Sequence, residues 1–479
     1  MPKRTSGIIG VHGAMGDLTP MDFRDEAHKV ADLAADYLER VESYDVLPKI
    51  APGDIKAQLP LSPPSEPESM DAILADYKRL IEPNITHWQH PMFMAYFPSI
   101  ASPPAILGEW LAATLNSNVM LWRNAPSSTE LEQLVVSWLA QMLRLNGFDG
   151  MLTDTASISS LLSVVAARHA IPGLHVKDEG LSGRAPLRMY ASTEAHSSIE
   201  KAAIVAGIGR HGFRRIAVDE GYRMRPELLE AAIAADRAEG DVPFCVVATL
   251  GTTSTTSVDP CAAIADICRR EKLWLHVDAA YAGTAAILPD MRHHFAGWEH
   301  ADSIVVNPHK WMFTPFDASL LLFRNPEAFR DAFSLVPEYL KTAESPDARN
   351  YNEYGIQLGR RFRALKLWMQ IRAYGVEGIG RRLREHMALA QTFASLVRAD
   401  DAWELCAPVP FATVCYRFRG DDAKNESILA HVNASGRAYI SHTKLGGRYT
   451  LRASFGNPLQ TEEHVRRLWD LLRFAASAS

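Results

Sequence analysis

The chain has 479 residues, 47% hydrophobic and 22% charged, with Lys+Arg 50 against Asp+Glu 56 and a formal net charge of -6. This is the balance of a globular chain with a large core, by size about two to four domains or one compound domain with an appendage, and it excludes disordered and fibrous classes. No long basic block is present to track a phosphate backbone, so nucleic acid is not an expected partner.

The chain opens on "MPKRTSGIIGVHGAMGDLTP", whose short apolar stretch, broken by Gly and His, is too weak for a signal peptide. No run reaches the roughly 18 apolar residues of a membrane span. The five cysteines are odd in number and form no CxxC, which fits neither a disulfide framework nor a structural zinc site. The expectation is a soluble protein of the reducing cytoplasm. From Met21, "MDFRDEAHKVADLAADYLERVESY" sets Phe23, Val30, Leu33, Ala34, Tyr37 and Val41 at helical spacing against a charged face. That apolar face needs a partner, either the body of the protein or a second subunit. The prolines of "LPKIAPGDIKAQLPLSPPSEPES" then forbid regular helix and predict an extended connection.

From about residue 103 short apolar runs, "LRMYAS", "CVVATL", "LWLHVDA" and "SIVVN", alternate with amphipathic stretches. Buried strands separated by helices predict an α/β fold with a largely parallel sheet covered on both faces. After "GRRFRALKLWMQIRAYG" a long helical stretch and alternating strands such as "TVCYRFRG" and "YTLRASF" predict a smaller α+β domain over the last hundred residues or so. No internal repeat or low-complexity tract interrupts the pattern.

Ligands of an open parallel sheet bind beyond the carboxyl ends of its strands. The predicted strands end in Asp278; in Asn307, His309 and Lys310; in Thr249 with a Gly-Thr-Thr turn; and in a polar turn carrying His196. A fifth element, "TDTASISSLLSVVAARHA", opens a helix with Thr155, Ala156 and Ser157, small residues whose N–H groups can bind an anion. Taken singly, each has a plainer reading: an N-cap at Thr155, a turn acid at Asp278, a capping or surface histidine at His196, and a solvated lysine covering its tryptophan at Lys310. Together they supply what pyridoxal phosphate requires: an amine for its aldehyde, a carboxylate for its pyridine nitrogen, an anion site, and a flat group against its ring.

With those residues set out, "NPHKW", "HVDAAYAG", "ATLGTT", "EAHSSIEKA", "HPMFMAYFPS" and "LGRRFRALKLW" together make the chain resemble the group II pyridoxal-phosphate-dependent amino acid decarboxylases, in the aromatic-L-amino-acid decarboxylase branch. The resemblance runs over nearly the whole chain. It implies fold type I, with an N-terminal helical segment (1–102) packed on a partner subunit, a large domain (103–377) around a mixed, mostly parallel seven-stranded sheet, and a small C-terminal domain (378–479). It also implies a homodimer with sites at the interface, while the lack of a membrane-spanning run predicts no membrane association.

By the same resemblance Lys310 is the Schiff-base lysine, Asp278 faces the pyridine nitrogen, and Ala280 and His196 lie on either side of the ring. Ala156 and Ser157 hold the phosphate, with Asn307 and His309 nearby, and Thr249 approaches the ring. Tyr96, Phe97, Pro98 and Ser99 line the substrate pocket, with Trp88 upstream and Asn118 and Met120 supplied by the partner subunit. In "PEYLK", Tyr339 matches the mobile-loop tyrosine that protonates the substrate carbon. Aldehyde synthases of the family replace that tyrosine by phenylalanine or the histidine by asparagine, so Tyr339 and His196 favour simple decarboxylation to the amine. Gly359 matches the small residue of plant members that accept indoles, where phenol-selective ones carry serine, and leans the expectation toward tryptophan or a broad aromatic range. Arg452 is expected to be structural.

A reading of another class is a metal-dependent hydrolase, with His276 and Asp278 as an H-x-D pair and His293, His294, His309 and His196 as further ligands. It leaves Lys310 without a role, and no recognisable ligand spacing completes it, so the metal expectation is none.

Overall fold

The computed structural model describes residues 18–335 and 348–478. These fall into two compact units, one within Met1–Phe93 and Ala430–Tyr439, the other within Met94–Leu429 and Ile440–Ser479.

The first unit carries the predicted amphipathic helix at Pro20–Arg40. Thr19 starts it with a capping box: its hydroxyl accepts the Asp22 N–H while the Asp22 carboxylate accepts the Thr19 N–H, each at 3.2 Å. The proline-rich connection behind it holds only a short turn at Lys56–Gln58, as expected where repeated prolines remove backbone donors. Val46 ties this unit together, donating to Gly436 and accepting from His87. Met21 is 80% exposed and Phe23 50%, so the start of the helix keeps part of its apolar face uncovered within the chain.

In the second unit seven strands make one sheet: β1 (Asp149–Thr153), β2 (Leu187–Ser192), β3 (Phe213–Ile216), β4 (Val242–Thr249), β5 (Trp274–Asp278), β6 (Ser303–Val306) and β7 (Ser319–Phe323). Their order is β1-β7-β6-β5-β4-β2-β3. Four neighbouring pairs, from β6 to β3, are parallel, and β7 is antiparallel to both β6 and β1. Two reversals cancel, so β1 runs with β6, and the carboxyl ends of β1, β2, β4, β5 and β6 all open on one rim. β3 exposes Arg215 on an edge, where charge discourages pairing with another chain. The central strands are apolar on both faces because helices cover both, and Met189, Val247 and Cys245 pack with Ile199 and Ala202 of the helix Ser197–Val205.

A four-stranded antiparallel sheet follows, ordered β10-β11-β9-β8 from β8 (Trp403–Leu405), β9 (Thr413–Phe418), β10 (Ser441–Leu445) and β11 (Arg448–Ser454). The helix Ala364–Ala399 leads to it and breaks direction at Gly375, where φ is 62° and ψ 166°, a backbone that a residue with a Cβ rarely adopts.

Candidate active site

The rim of the seven-stranded sheet encloses a pocket of 220 Å³. Lys310 follows β6 on the short helical turn Pro308–Trp311, and Asp278 is the last residue of β5. The pocket is lined by Ala156 and Ser157 below β1, His196 beyond β2, Thr249 at the end of β4, Ala280, Asn307, His309 and Phe97. All nine residues expected around the cofactor, Lys310 among them, thus line one cavity, together with Thr155 and with Ser198, Gly251, Thr253 and Tyr281, to which the sequence assigns no role.

Lys310 is half-buried, and loss of hydration around its amine pushes it below the ordinary lysine range; the Asp278 carboxylate opposes that shift and the Arg452 guanidinium adds to it. Its Nζ lies 5.3 Å from the centre of the Phe97 ring. Beneath Phe97 runs a column of rings: Tyr281 stacks on it at 3.9 Å, Trp311 stacks on Tyr281 at 4.9 Å, and the Trp311 indole N–H donates to His386 at 3.1 Å. The residue next to Lys310 is therefore anchored in the core, which restricts where the lysine stem can start.

Asp278 accepts the Ala280 N–H at 3.1 Å through one carboxylate oxygen. The backbone of Ala280 accepts from Asn307, and that of Asn307 from Lys310, so strand ends β5 and β6 are pinned to each other at the pocket. Ser99 donates to the His309 carbonyl at 2.5 Å, and His309 Nδ1 accepts from Ala318 N–H at 3.0 Å. Burial, followed by the Lys310 charge, pushes His309 down to about 3, and it is neutral. His196 caps the helix Ser197–Val205, accepting the Ser198 N–H at Nδ1, and burial lowers its proton affinity too.

Thr155 does not act as the N-cap that its position suggests. The helix Ala156–His169 has no side-chain cap, because the Thr155 hydroxyl turns back to donate to Asp154 at 3.1 Å. Its first residues, Ala156 and Ser157, line the pocket, and the free N–H groups of a helix start favour a negatively charged ligand. Thr249 Oγ1 and Asn307 Oδ1 are buried in the same cavity without a partner among the described residues. An uncapped helix end, unpaired polar atoms, a half-buried amine and a buried carboxylate suit a phosphorylated, polar, flat group such as pyridoxal phosphate. Gly251 makes the floor narrow: its φ is 99°, and a Cβ there would lie 2.6 Å from the Ala282 Cβ.

Other expected residues fall elsewhere. Asn118 and Gly359 are neighbours, with a Cβ on Gly359 falling 3.8 Å from the Asn118 amide, and Met120 accepts backbone contact from Asn352; within one chain these line no part of the pocket. Tyr96 and Pro98 flank Phe97, Tyr96 half exposed and Pro98 packed beside Gly456. Trp88 belongs to the first unit, 4.2 Å from Phe93. Tyr339 lies outside the described residues. Arg452 gains more than a structural place: its guanidinium covers the Phe97 ring at 4.5 Å, donates to the Ser254 and Tyr96 carbonyls, and keeps Nη2 buried without a partner among the described residues. As for the metal reading, both ring nitrogens of His276 are already engaged by Ser160 and Ser303.

Residues 52–419 match the model of the pyridoxal-dependent decarboxylase conserved domain. The chain is 39% identical to tyrosine decarboxylase 3 of Petroselinum crispum over 97% of its own length and 93% of that protein's. It is also 39% identical to a phenylacetaldehyde synthase of Arabidopsis thaliana, over 96% and 97%. The crystal structure of Oryza sativa TDC with PLP and tryptamine superposes with a TM-score of 0.93 at 37% identity, covering 96% of this chain and 99% of that one. The chain belongs to the pyridoxal-dependent decarboxylase family, and the group that its rim of uncapped helix, carboxylate and lysine amine accepts is pyridoxal 5'-phosphate.

Proposed function

We propose that the protein removes the α-carboxyl group of an L-aromatic amino acid, releasing carbon dioxide and the amine. The observation that carries this reading is that a half-buried, proton-poor Lys310 and a buried Asp278 line one cavity that also receives an uncapped helix end. Lys310 would hold the cofactor's aldehyde carbon, Asp278 its pyridine nitrogen, and the N–H groups of Ala156 and Ser157 its phosphate, with Asn307 and His309 supporting them. His196 would cover one face of the ring and Ala280 the other, Thr249 closing the edge. When bound, pyridoxal phosphate supplies an electron-accepting ring conjugated to the substrate's Cα.

The low proton affinity of Lys310 leaves a larger fraction of its amine uncharged at neutral pH, the form that attacks a carbonyl carbon. Asp278 would hold the ring nitrogen through its carboxylate, one oxygen of which already accepts the Ala280 N–H. Phe97, under the Lys310 amine, offers an apolar wall that limits water near the reacting carbon. Tyr339 would deliver a proton to Cα after carbon dioxide has left. Tyr96, Pro98 and Ser99 would shape the substrate end, and Asn118, Met120 and Gly359 would reach the site from a second copy of the chain.

Support for a homodimer comes from the exposed Met21 and Phe23, while the three-part division at 102 and 377 rests on the family resemblance. A cytoplasmic location rests on the cysteine usage; no described helix is long and apolar enough to cross a membrane. Tyr339 and His196 favour the amine over the aldehyde, and Gly359 favours an indole ring.

The test is a panel of tryptophan, 5-hydroxytryptophan, tyrosine, DOPA, phenylalanine, histidine and glutamate, with carbon dioxide, amine, aldehyde and peroxide all quantified. Amine equal to carbon dioxide on aromatic substrates is expected. Aldehyde with peroxide in place of amine would assign the chain to the synthase reaction, and turnover of glutamate alone would overturn the aromatic reading. Light scattering of the eluted protein is expected to return twice the 53.0 kDa chain mass.

A further inference from the structure

Below the pocket, a buried histidine joins the two elements that would hold opposite ends of the cofactor. His276 lies in β5 two residues before Asp278, on the same face of the strand. Its Nδ1 is 2.9 Å from the Ser303 hydroxyl of β6, and its Nε2 is 3.0 Å from the Ser160 hydroxyl. Ser160 stands one turn into the helix whose uncapped start is Ala156 and Ser157. Ser303 also receives the Trp274 indole N–H at 3.0 Å, which fixes that hydroxyl in turn. His276, Ser160 and Ser303 are fully buried. The neighbouring Ser159 ties the same helix elsewhere, to Thr153 of β1 at 2.7 Å and to Ser319 of β7 at 3.0 Å. Of the helix's serine contacts, the one through Ser160 reaches the strand that ends in Asp278.

This geometry matters because the cofactor is rigid. The distance from its pyridine nitrogen to its phosphate changes little, so a helix free to slide along β5 would satisfy Asp278 or the phosphate end, and not both. Apolar contacts between helix and sheet resist sliding weakly, since they are non-directional. An imidazole between two hydroxyls is directional, and either neutral tautomer serves because serine donates or accepts.

We propose that His276, through Ser160, is a positioning residue that sets the register between the phosphate-binding helix start and Asp278. This rests on the reading that Ala156 and Ser157 take the phosphate and Asp278 the ring nitrogen. The tie is a second-layer device: His276 touches neither cofactor nor substrate, and its effect is on how well the two anchors fit one molecule at once.

The test uses the full chain stripped of cofactor, titrated with pyridoxal phosphate and, separately, with pyridoxal, which lacks the phosphate and can settle on Asp278 and Lys310 alone. Wild type is expected to bind pyridoxal phosphate far more tightly, and Ser157→Glu, which sets a carboxylate at the helix start, to abolish most of that preference. Ser160→Ala and His276→Gln are each expected to lower the preference about tenfold, the worth of one good buried hydrogen bond, with pyridoxal affinity within about twofold of wild type. The double variant should be no worse than His276→Gln, since both remove one tie. Ser160→Ala, a substitution by a strong helix former, keeps the test open where His276→Gln fails to fold. Equal weakening of both ligands, or weakening of neither, with Ser157→Glu behaving as expected, would overturn the positioning role alone. Absence of any phosphate-dependent preference in wild type, or its survival in Ser157→Glu, would overturn both the site reading and the positioning role.

Discussion

Glu132→Ala should strike the segment around Gly359 without touching the pocket. Glu132 is fully buried on the helix Pro126–Met142 and pairs with Arg360 at 2.6 Å, the two side chains being 0% and 6% exposed. The same carboxylate accepts the Leu152 N–H of β1 at 2.9 Å, while Arg360 donates to the Val119 and Leu152 carbonyls and its backbone N–H goes to Asn118. Removing the carboxylate strands a buried guanidinium, a loss of about 3–5 kcal/mol, and orphans the Leu152 N–H at about 1–3 kcal/mol more. Partial relaxation and water entry leave roughly 4 kcal/mol as the lower end. Unfolding entropy near 2.1 cal/mol/K per residue amounts to about 1 kcal/mol/K for a chain of this length, so the thermal midpoint should fall by at least about 4 °C. Glu132→Gln, which keeps acceptor and shape, should lose less than half of that. Differential scanning of both variants with cofactor present measures the difference. A midpoint within about 1 °C of wild type for Glu132→Ala would refute the argument, because it would mean that Arg360 finds another counter-charge or water at no cost.

Acid should destabilise the fold through buried histidines. Burial pushes His276 down to about 4 and His309 and His386 to about 3, all below the ordinary 6.5. The unfolded chain therefore takes up these protons first, so their contribution is complete above pH 6.5 and is lost as pH falls toward 4 and 3; His276 alone accounts for roughly 3 kcal/mol. A thermal midpoint that stays flat from pH 7 to 5 would contradict this, and His276→Gln should flatten the slope. Arg452→Gln removes a cation that lowers the Lys310 amine, so the pH at which the cofactor's absorbance band with Lys310 is half formed should move upward; a downward move would refute it. Gly359→Ser should fold normally, since its Cβ meets Asn118 at an ordinary 3.8 Å, and should raise kcat/KM for tyrosine relative to tryptophan; an unchanged ratio would remove Gly359 from substrate choice.

The parts of the fold legible in the sequence were those where one force dominates. β2, β4, β5 and β6 are buried on both faces, so they read as apolar runs with abrupt polar ends, and those ends named most of the pocket. β1 and β3 sit at the sheet's edges, with Asp149 and Arg215 among few residues, and their patterns are too short and mixed to stand out. The antiparallel β7 places β1 on the same rim as β6, a relation that depends on pairing and not on local composition. In the site, Tyr281 was visible in "DAAYAG" but its stacking on Phe97 was not, because the two residues are far apart in sequence. Thr155 read as a cap by type; only the turn of its hydroxyl toward Asp154 leaves the helix start open. Arg452 looked structural on a β strand, and its guanidinium over Phe97 became apparent from the packing of β11 beside residues 94–97.

Borohydride reduction of the cofactor-loaded protein, followed by peptide mapping, addresses the central claim most directly. Pyridoxal phosphate held by Lys310 predicts bleaching of the yellow colour and one phosphopyridoxyl-modified peptide, containing "NPHKW". A colourless protein, or modification spread over surface lysines with Lys310 untouched, would contradict it.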